Sequence, residues 1–300
     1  MEFARARPPG IYKNSYIQTL FERYGDVSDA PSVPDLPDWC FEEEHQYNVD
    51  DDGNALDKAP QNLHQAPRRN EKVPVFMEGV PGVYPVTEQP LLSRIQRRFQ
   101  DLSGYRSKRG FPGAQPVSMD RDNMKLLKQH DYKVSWKADG TRYMMLIDGP
   151  NSIFFTDRDH CVFKVEGMTF LNRKDENQHL SGTLLDGEMV IDDDQLNQKL
   201  QPRYLVYDII TIHKDGKDQP VGQTDFNMRL FCIQREIEEP RLKYIQSGKI
   251  DKDREPFRIR LKKFWDIHST RTLLGPKFTK EELGHEPDGL IFQPVKHVRT

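Results

Sequence analysis

Alternating apolar and polar residues recur through the second half of this 300-residue chain and predict a series of short β-strands. Several of these runs are almost continuously apolar and carry one or two charged residues at a fixed place. Strands that alternate with turns and only a few helices predict an α+β fold, with antiparallel sheets flanked by helices. The predicted strand segments are, in chain order, Lys133–Trp136, Phe154–Phe163, Thr183–Asp192, Arg203–Ile210, Phe257–Trp265 and Leu290–Gln293.

Apolar residues spaced by three or four positions predict two helices in the same part of the chain. The first covers Glu88–Asp101, where Pro90 falls in the first turn and is therefore tolerated. The second covers Phe226–Glu238. Its expected apolar face consists of Met228, Phe231, Cys232 and Ile237.

The pattern changes twice along the chain and so predicts three regions. Residues 1–25 contain a short helical pattern at Asn14–Tyr24, with no core of its own to cover. Residues 26–84 are rich in proline and acid, which is typical of a linker with little independent fold. Residues 85–300 carry the strands and helices described above, and we expect them to form the globular domain.

Composition narrows the classes of function. With 36% hydrophobic and 30% charged residues, no long apolar run and no apolar core near the N-terminus, the chain is typical of an intracellular protein without membrane spans. A net charge of −3 excludes a generally basic nucleic-acid binder, so any RNA affinity would be local. One candidate patch, equally compatible with a solvated helix face, consists of Arg94, Arg97, Arg98, Arg106, Lys108 and Arg109. The three cysteines are too far apart for a zinc site and favour reduced thiols.

The motif KADGTR, at Lys137–Arg142, is the most informative chemical signal. It places a lysine where a strand meets a turn, with an acid, a glycine and an arginine close behind. A lysine is a nucleophile only when neutral, and from an ordinary pKa of about 10.4 the neutral form costs roughly 4–5 kcal/mol at pH 7. Gly140 would let backbone approach a bulky ligand. Taken alone, the motif is equally compatible with a surface lysine at a strand end.

Carboxylates in the later strands strengthen the case for a site. Asp186 and Glu188 flank Gly187, and Asp288 opens the segment DGLIFQP. Because an unpaired buried carboxylate is costly, such residues favour a divalent metal and a phosphate substrate near Lys137.

Other acidic residues have simpler interpretations. Asp208 within YDII can instead be structural, bonding a neighbouring backbone amide. The run Asp192–Asp194 is better interpreted as a solvated turn between strands than as a metal cluster.

In order and wording, these segments resemble the covalent nucleotidyltransferases, the superfamily of mRNA capping guanylyltransferases and polynucleotide ligases. The strings FPGAQPVSM, VSWKADGTRYMMLIDG, LLDGEMVID and DGLIFQP are most similar to the guanylyltransferase domain of the metazoan capping branch. The resemblance covers the chain from about Pro85 onward, together with the first stretch up to Cys40. Several motifs in one order are far more specific than a single KxDGxR. The implied fold is a nucleotidyltransferase core of the ligase type.

The resemblance implies roles for residues that match the family's motifs. Lys137 matches the lysine that forms the covalent GMP adduct. Arg142 matches a nucleotide contact near the ribose, and Arg158 matches a second nucleotide-contacting arginine. Phe163 is expected to offer an aromatic face to the guanine.

The acidic segments are assigned in the same way. Asp186, Gly187 and Glu188 match the family's DGE segment, whose acid lies near the ribose and the metal. Asp288 matches an acid near the metal, so Glu188 and Asp288 are the expected ligands of Mg²⁺ or Mn²⁺.

The two ends of the chain depart from the family pattern. ARPPGIYKNSYIQTLFERYGD near the start is similar to the end of an RNA triphosphatase domain, but the HCxxGxxR loop of that activity is absent. After DGLIFQP there is no LKWK-type strand and no OB-fold domain. We therefore expect an incomplete chain in which 1–25 is a triphosphatase remnant and 85–300 an unfinished guanylyltransferase domain. Without closure by the missing part, weak GTP binding and little adduct are expected.

The resemblance implies a nuclear enzyme that moves GMP from GTP, through lysyl-GMP, to the 5′-diphosphate end of RNA. The C-terminal domain of RNA polymerase II is the further partner it implies. Two other interpretations stay open. An ATP-dependent polynucleotide ligase shares KxDGxR, and a catalytically inactive fragment could act as a binding module.

Overall fold

The computed structural model describes residues 73–296, apart from 105–110, 112, 114, 195–198, 215, 277, 279–282 and 286. The predicted helix at Asn14–Tyr24, region 1–25 and most of the predicted linker lie outside these residues. So do Arg106, Lys108 and Arg109 of the candidate basic patch.

The secondary structure follows the predicted order of strands and few helices. The helices are α1 (Leu91–Ser103), α2 (Leu126–Gln129), α3 (Phe226–Ile233), α4 (Glu239–Gln246) and α5 (Thr270–Leu273), with a π-helical turn at Gln234–Glu238 between α3 and α4. The strands are β1 (Val83–Pro85), β2 (Tyr132–Ala138), β3 (Thr141–Ile147), β4 (Ile153–Thr156), β5 (Val162–Val165), β6 (Thr183–Asp194), β7 (Lys199–Lys214), β8 (Lys217–Gln219), β9 (Arg258–Leu261), β10 (Trp265–Asp266) and β11 (Pro287–Pro294).

Two sheets organise the described residues. The larger has the strand order β1-β5-β4-β3-β6-β7-β8, with β9 added parallel to β7, and the smaller has the order β10-β2-β11. Apart from the β7–β9 pair, the strand pairs are antiparallel. The predicted α+β class with antiparallel sheets is confirmed. In this part of the chain, no helix has the length and apolar character needed to span a bilayer.

Aromatic side chains fill the core of the larger sheet. Phe155 and Phe163 are fully buried, and Phe76 stacks on Tyr143 with ring centroids 4.2 Å apart. Phe76 and Val83 come from the segment assigned to the linker, yet both belong to this core. The folded unit therefore begins before Pro85.

The helix predicted at Phe226–Glu238 exists, but its apolar face is only in part the expected one. Ile237 is buried as predicted and Cys232 packs partly against the core, whereas Met228 and Phe231 are 52% and 51% exposed. The buried face also carries Phe226, Arg229 and Ile233. The prediction was wrong for Met228 and Phe231 because the charged Arg229 occupies part of the buried face. Arg229 points inward, where its Nε donates to Asp208 at 2.7 Å.

The interpretation of Asp192–Asp194 as a solvated turn is also wrong. Strand β6 continues through these residues, and Asp192 is buried. Its carboxylate is paired with Arg203 on the neighbouring strand β7 at 2.5 Å. Only the pairing of β6 with β7 brings these two side chains together.

Asp208 is structural, since its carboxylate accepts a hydrogen bond from the Ile209 amide at 2.9 Å and pairs with buried Arg229. Removing one partner of a buried ion pair leaves an uncompensated charge, which costs about 3–5 kcal/mol. We expect Asp208→Ala to lower the free energy of unfolding by this amount in chemical denaturation. The control is Asp251→Ala, whose exposed pair with Arg254 is worth at most about 1 kcal/mol. Equal losses in the two variants would contradict a structural role.

Candidate active site

Lys137 lies next to the last residue of β2, opposite an irregularity in β11. The ladder between these strands slips between Pro287 and Leu290, so that Asp288 and Gly289 together lie opposite Lys137. Gly289 adopts a φ of 105°, which favours glycine. The bulge directs Asp288 to Lys137, and the two side chains form an ion pair, with Nζ donating to Oδ2. A bulge that aims a side chain is common beside active sites.

The turn that follows Lys137 packs tightly on β6. A Cβ at Gly140 would lie 2.3 Å from the carbonyl oxygen of Met189 and 2.8 Å from the Val190 side chain. The expectation that Gly140 makes room for a ligand is therefore wrong. The glycine makes room for the neighbouring strand, which fixes the turn between β2 and β3 against β6.

Arg142, at the start of β3, is held by a two-point contact with Asp186 on β6. Nε and Nη2 of Arg142 donate to the two carboxylate oxygens at 3.0 and 2.7 Å. Although burial opposes the charge of Arg142, the adjacent Asp186 raises the pKa of the guanidinium above its ordinary value. The Arg142 guanidinium also lies 4.8 Å from the ring centre of Phe111. The arginine is thus fixed in place and stays charged.

Tyr207 joins the same cluster because of a second bulge. In the β6–β7 ladder Asp186 is paired with Asp208 and Gly187 with Val206, which leaves Tyr207 as the extra residue. Its hydroxyl donates to Asp186 at 3.0 Å. Burial, together with the charge of Asp186, raises the pKa of Tyr207 well above its ordinary value, so the phenol remains a donor.

Glu188 lies opposite Arg142 in the β3–β6 ladder and faces a buried lysine that sequence analysis missed. Lys262 is 1% exposed, with Nζ 3.8 Å from the Glu188 carboxylate and 5.0 Å from the ring centre of Trp136. Within the described part of the chain, this Nζ has no hydrogen-bond partner. Burial raises the pKa of Glu188, whereas it lowers the pKa of Lys262 to about 8, partly offset by Glu188. Lys262 and Glu188 thus form a buried pair of opposite charges beside Lys137.

Two of the expected nucleotide contacts stand apart from this cluster. Arg158 is exposed, in the turn between β4 and β5, and its role stays a prediction. Phe163 is 0% exposed and lies in the aromatic core beside Phe76 and Tyr143. The structure contradicts the expectation that Phe163 offers a face to guanine. The half-buried ring at the site belongs to Tyr207.

Few side chains near Lys137 could bind a metal ion. Among the described residues, no three His, Cys, Asp or Glu side chains come together in a metal-binding group. Magnesium commonly uses one or two carboxylates and completes its shell with water and substrate phosphates. Glu188 and Asp288, which both interact with Lys137, fit that mode and do not form a dedicated protein cage.

A cavity of about 820 Å³ lies elsewhere, between α4 and strands β7 and β9. Its lining is charged, and much of that charge is paired, as in Arg241 with Glu255 and Arg258 with Asp253. Lys137 and Glu188 are not part of it. The candidate site is therefore identified by the charged side chains that come together around Lys137, and not by the presence of a large cavity.

The described part of the candidate basic patch is mixed in character. Arg94 and Arg97 are exposed on α1. Arg98 is paired with Asp148 and Asp218, each at 3.3 Å. The role of this basic patch in RNA binding therefore stays a prediction.

Lys262 gives the site a characteristic pH dependence. Because its pKa falls from 10.5 to about 8 on folding, the unfolded chain binds the proton more tightly between these values. Burial of the protonated Lys262 therefore lowers the free energy of unfolding by its full amount below pH 8, and this loss disappears as the pH rises to 10.5. Relative to Lys262→Met, the wild-type free energy of unfolding should therefore rise by about 3 kcal/mol across this window.

The measurement is urea denaturation of both proteins at several pH values. Lys263→Met changes the neighbouring, exposed lysine and serves as the matched control, with an expected profile parallel to that of the wild type. If the free energy of unfolding of Lys262→Met changes with pH in parallel with that of the wild type, the pKa of Lys262 is not lowered by folding.

Comparison with known proteins agrees with this geometry. The family described as "mRNA capping enzyme, catalytic domain" matches residues 77–300. The chain is 53% identical to the mRNA-capping enzyme of Danio rerio and 52% identical to that of Mus musculus, in each case over 98% of this chain and 49% of the relative. The mRNA-capping enzyme subunit alpha of Saccharomyces cerevisiae is 30% identical over 65% of this chain and 44% of its own length. The chain spans about half the length of the first two relatives. With its lysine motif and acidic strands in the predicted order, the chain belongs to the family of mRNA capping enzyme catalytic domains.

Proposed function

We propose that this chain carries the guanylyltransferase centre of an mRNA capping enzyme, which moves GMP from GTP to Lys137 and then to the 5′-diphosphate end of RNA. One observation carries the proposal. Lys137 at the end of β2 is joined by Asp288 from β11, Glu188 from β6 and Arg142 from β3. These residues come from four strands of two sheets, and they combine a nucleophile, carboxylates and a fixed cation.

In the first step the neutral amine of Lys137 attacks the α-phosphorus of GTP. The new P–N bond forms as the bond to the leaving pyrophosphate breaks, which gives a lysyl-GMP phosphoramidate. The carboxylate of Asp288 contacts the Lys137 ammonium and orients it, and the proton that the amine gives up passes to solvent. In the second step the RNA 5′-diphosphate oxygen attacks the same phosphorus and releases the lysine.

Three other residues have roles that follow from their positions. Arg142, oriented by Asp186, is fixed to contact the nucleotide near its ribose. Tyr207 replaces Phe163 as the aromatic candidate for the base, since its ring lies at the site. Lys262 places a buried ammonium beside Glu188, where it can contact a phosphate or carbonyl oxygen of the nucleotide.

A divalent cation, Mg²⁺ or Mn²⁺, would be held by Glu188 and Asp288 together with the nucleotide phosphates. When bound, it would neutralise charge on the phosphates and on the leaving pyrophosphate. Burial raises the pKa of Glu188 and the charges of Lys262 and Lys137 only partly oppose that rise, so a bound cation would further favour the ionised carboxylate.

The partners and location belong to the same proposal. We propose nascent RNA with a 5′-diphosphate end as the acceptor, a nuclear location, and contact with the C-terminal domain of RNA polymerase II. Their support is membership of the capping family.

The function is tested by incubating the full-length protein with α-³²P-labelled GTP or ATP and a divalent cation, followed by denaturing electrophoresis. Guanylyl transfer predicts a labelled protein with GTP and little label with ATP. Labelling mainly by ATP would identify a polynucleotide ligase centre. No label from either nucleotide would indicate an inactive binding module.

Lys137→Ala should abolish the labelled adduct, because no other group at the site is placed to attack the phosphorus. The wild-type bond should be labile in acid and stable in base, as expected of a phosphoramidate. Lys133→Ala is the matched control, since Lys133 lies on the same strand and pairs with Asp266 at 2.7 Å, away from the site. Label that persists in Lys137→Ala would show that another residue is the nucleophile.

Arg142→Lys and Glu188→Gln should each reduce adduct formation by about a hundredfold or more while the protein stays folded. An ammonium cannot reproduce the two-point contact of Arg142 with Asp186, and a neutral amide at Glu188 removes the charge needed for a cation. Single-turnover labelling measures the rate, and the melting temperature verifies folding. Arg254→Lys, at an exposed position, is the control. Near-full rates in both site variants would place the active site elsewhere.

A further inference from the structure

The short segment that precedes β11 is clamped onto strand β6. The Asp193 amide donates to the Gly284 carbonyl at 2.6 Å. A Cβ at Gly284 would lie 2.9 Å from the Cβ of Asp192, so this close approach requires glycine. The segment therefore meets the larger sheet a few residues before the chain enters β11 of the smaller sheet.

Side chains extend this contact into a continuous hydrogen-bonded relay. The carboxylate of Asp192 is bonded to His285 Nδ1 at 2.8 Å, and the indole N–H of Trp136 donates to His285 Nε2 at 2.9 Å. The other Asp192 oxygen accepts from Arg203 at 2.5 Å. His285 and Asp192 are 8% and 10% exposed at the side chain.

The relay fixes the chemistry of its central imidazole. An indole nitrogen can only donate, so Nε2 of His285 must accept and Nδ1 must carry the hydrogen that is donated to Asp192. Burial opposes the charge of Asp192, but the bonds from His285 and Arg203 lower its pKa below the ordinary value. The carboxylate therefore stays ionised and holds the ring in one orientation.

Three members of the relay lie on the same chain segments as residues of the proposed site. Trp136 immediately precedes Lys137 on β2, and His285 precedes Asp288 by three residues. Asp192 follows Glu188 by four residues along β6. The relay thus joins the three segments that carry the nucleophile and the two acids, and it crosses from one sheet to the other.

We propose that Asp192 and His285 are positioning residues for the attack by Lys137. They lock the smaller sheet, which bears Lys137 and Asp288, onto the larger sheet, which bears Arg142 and Glu188. Neither residue touches the reacting atoms. A displacement of about 1 Å at a reacting group can cost on the order of a hundredfold in rate, so the register between the sheets bears directly on catalysis. This inference rests on the proposed guanylyl transfer.

The test compares His285→Leu with His285→Gln in the full-length protein. Leucine breaks both bonds of the relay, whereas glutamine keeps one acceptor for Trp136 and one donor for Asp192. Single-turnover labelling with GTP should be at least about tenfold slower in His285→Leu, with half-saturation by GTP unchanged within about twofold. His285→Gln should recover most of the rate.

A second readout follows the relay without reference to catalysis. In protein labelled with ¹⁵N-tryptophan, the indole N–H signal of Trp136 should move upfield and exchange faster in His285→Leu, and return in His285→Gln. Trp136→Phe assigns this signal. It should also slow labelling, with little additional loss when combined with His285→Leu, because both changes break the same bond.

The outcomes separate this inference from the proposed function. Wild-type protein that forms no lysyl-GMP overturns both. Wild-type labelling together with an unimpaired His285→Leu overturns only the positioning role. An equal loss of labelling rate in His285→Leu and His285→Gln would also overturn the positioning role. So would a change in the GTP concentration at half-saturation without a change in the maximal labelling rate.

Discussion

The ion pair between Arg142 and Asp186 is the interaction on which the site depends most. It spans two adjacent strands in the middle of the larger sheet, where neither charge could be buried alone. Asp186 also accepts from Tyr207, so one carboxylate orients a cation and a phenol toward the same place. The main effect of the pair is therefore to orient side chains at the site, rather than to stabilise the fold. The packing of the surrounding sheet offsets the free energy lost when these two charges are removed from water.

The contacts around Lys137 have a different character. Lys137 and Asp288 are 47% and 64% exposed at the side chain, and an ion pair in water is worth little. Such a pair can be exchanged readily for other charge partners. The site thus combines buried, fixed side chains on the larger sheet with exposed, exchangeable side-chain contacts on the smaller one.

Much of this site could be predicted from the sequence, because its motifs are local. Lys137, Arg142, Glu188 and Asp288 were each marked by neighbouring residues in a recognisable order. The antiparallel α+β architecture also followed from short apolar runs and their turns.

What could not be predicted depends on bulges and on distant charge partners. A single extra residue at Tyr207 decides which aromatic ring reaches the site, and periodicity alone could not have placed it there. The burial of Lys262 and Arg229 could not be predicted, because their partners, Glu188 and Asp208, lie far away in sequence. Phe163 was misassigned for a related reason, since an aromatic in a strand can face either side and this one faces the core. Nonlocal pairing, not composition, decided each of these cases.

Burial of the Lys262 ammonium opposes folding, and the same burial makes this nitrogen sensitive to any acceptor placed beside it. A small molecule that presents a carbonyl or phosphate oxygen to this nitrogen would satisfy it and relieve part of its desolvation cost. Such a ligand would raise the thermal stability of the protein by more than its contact area suggests. Molecules that fill the same space with carbon alone would leave the nitrogen unsatisfied. Burial of this nitrogen therefore favours oxygen-bearing ligands over purely apolar ones.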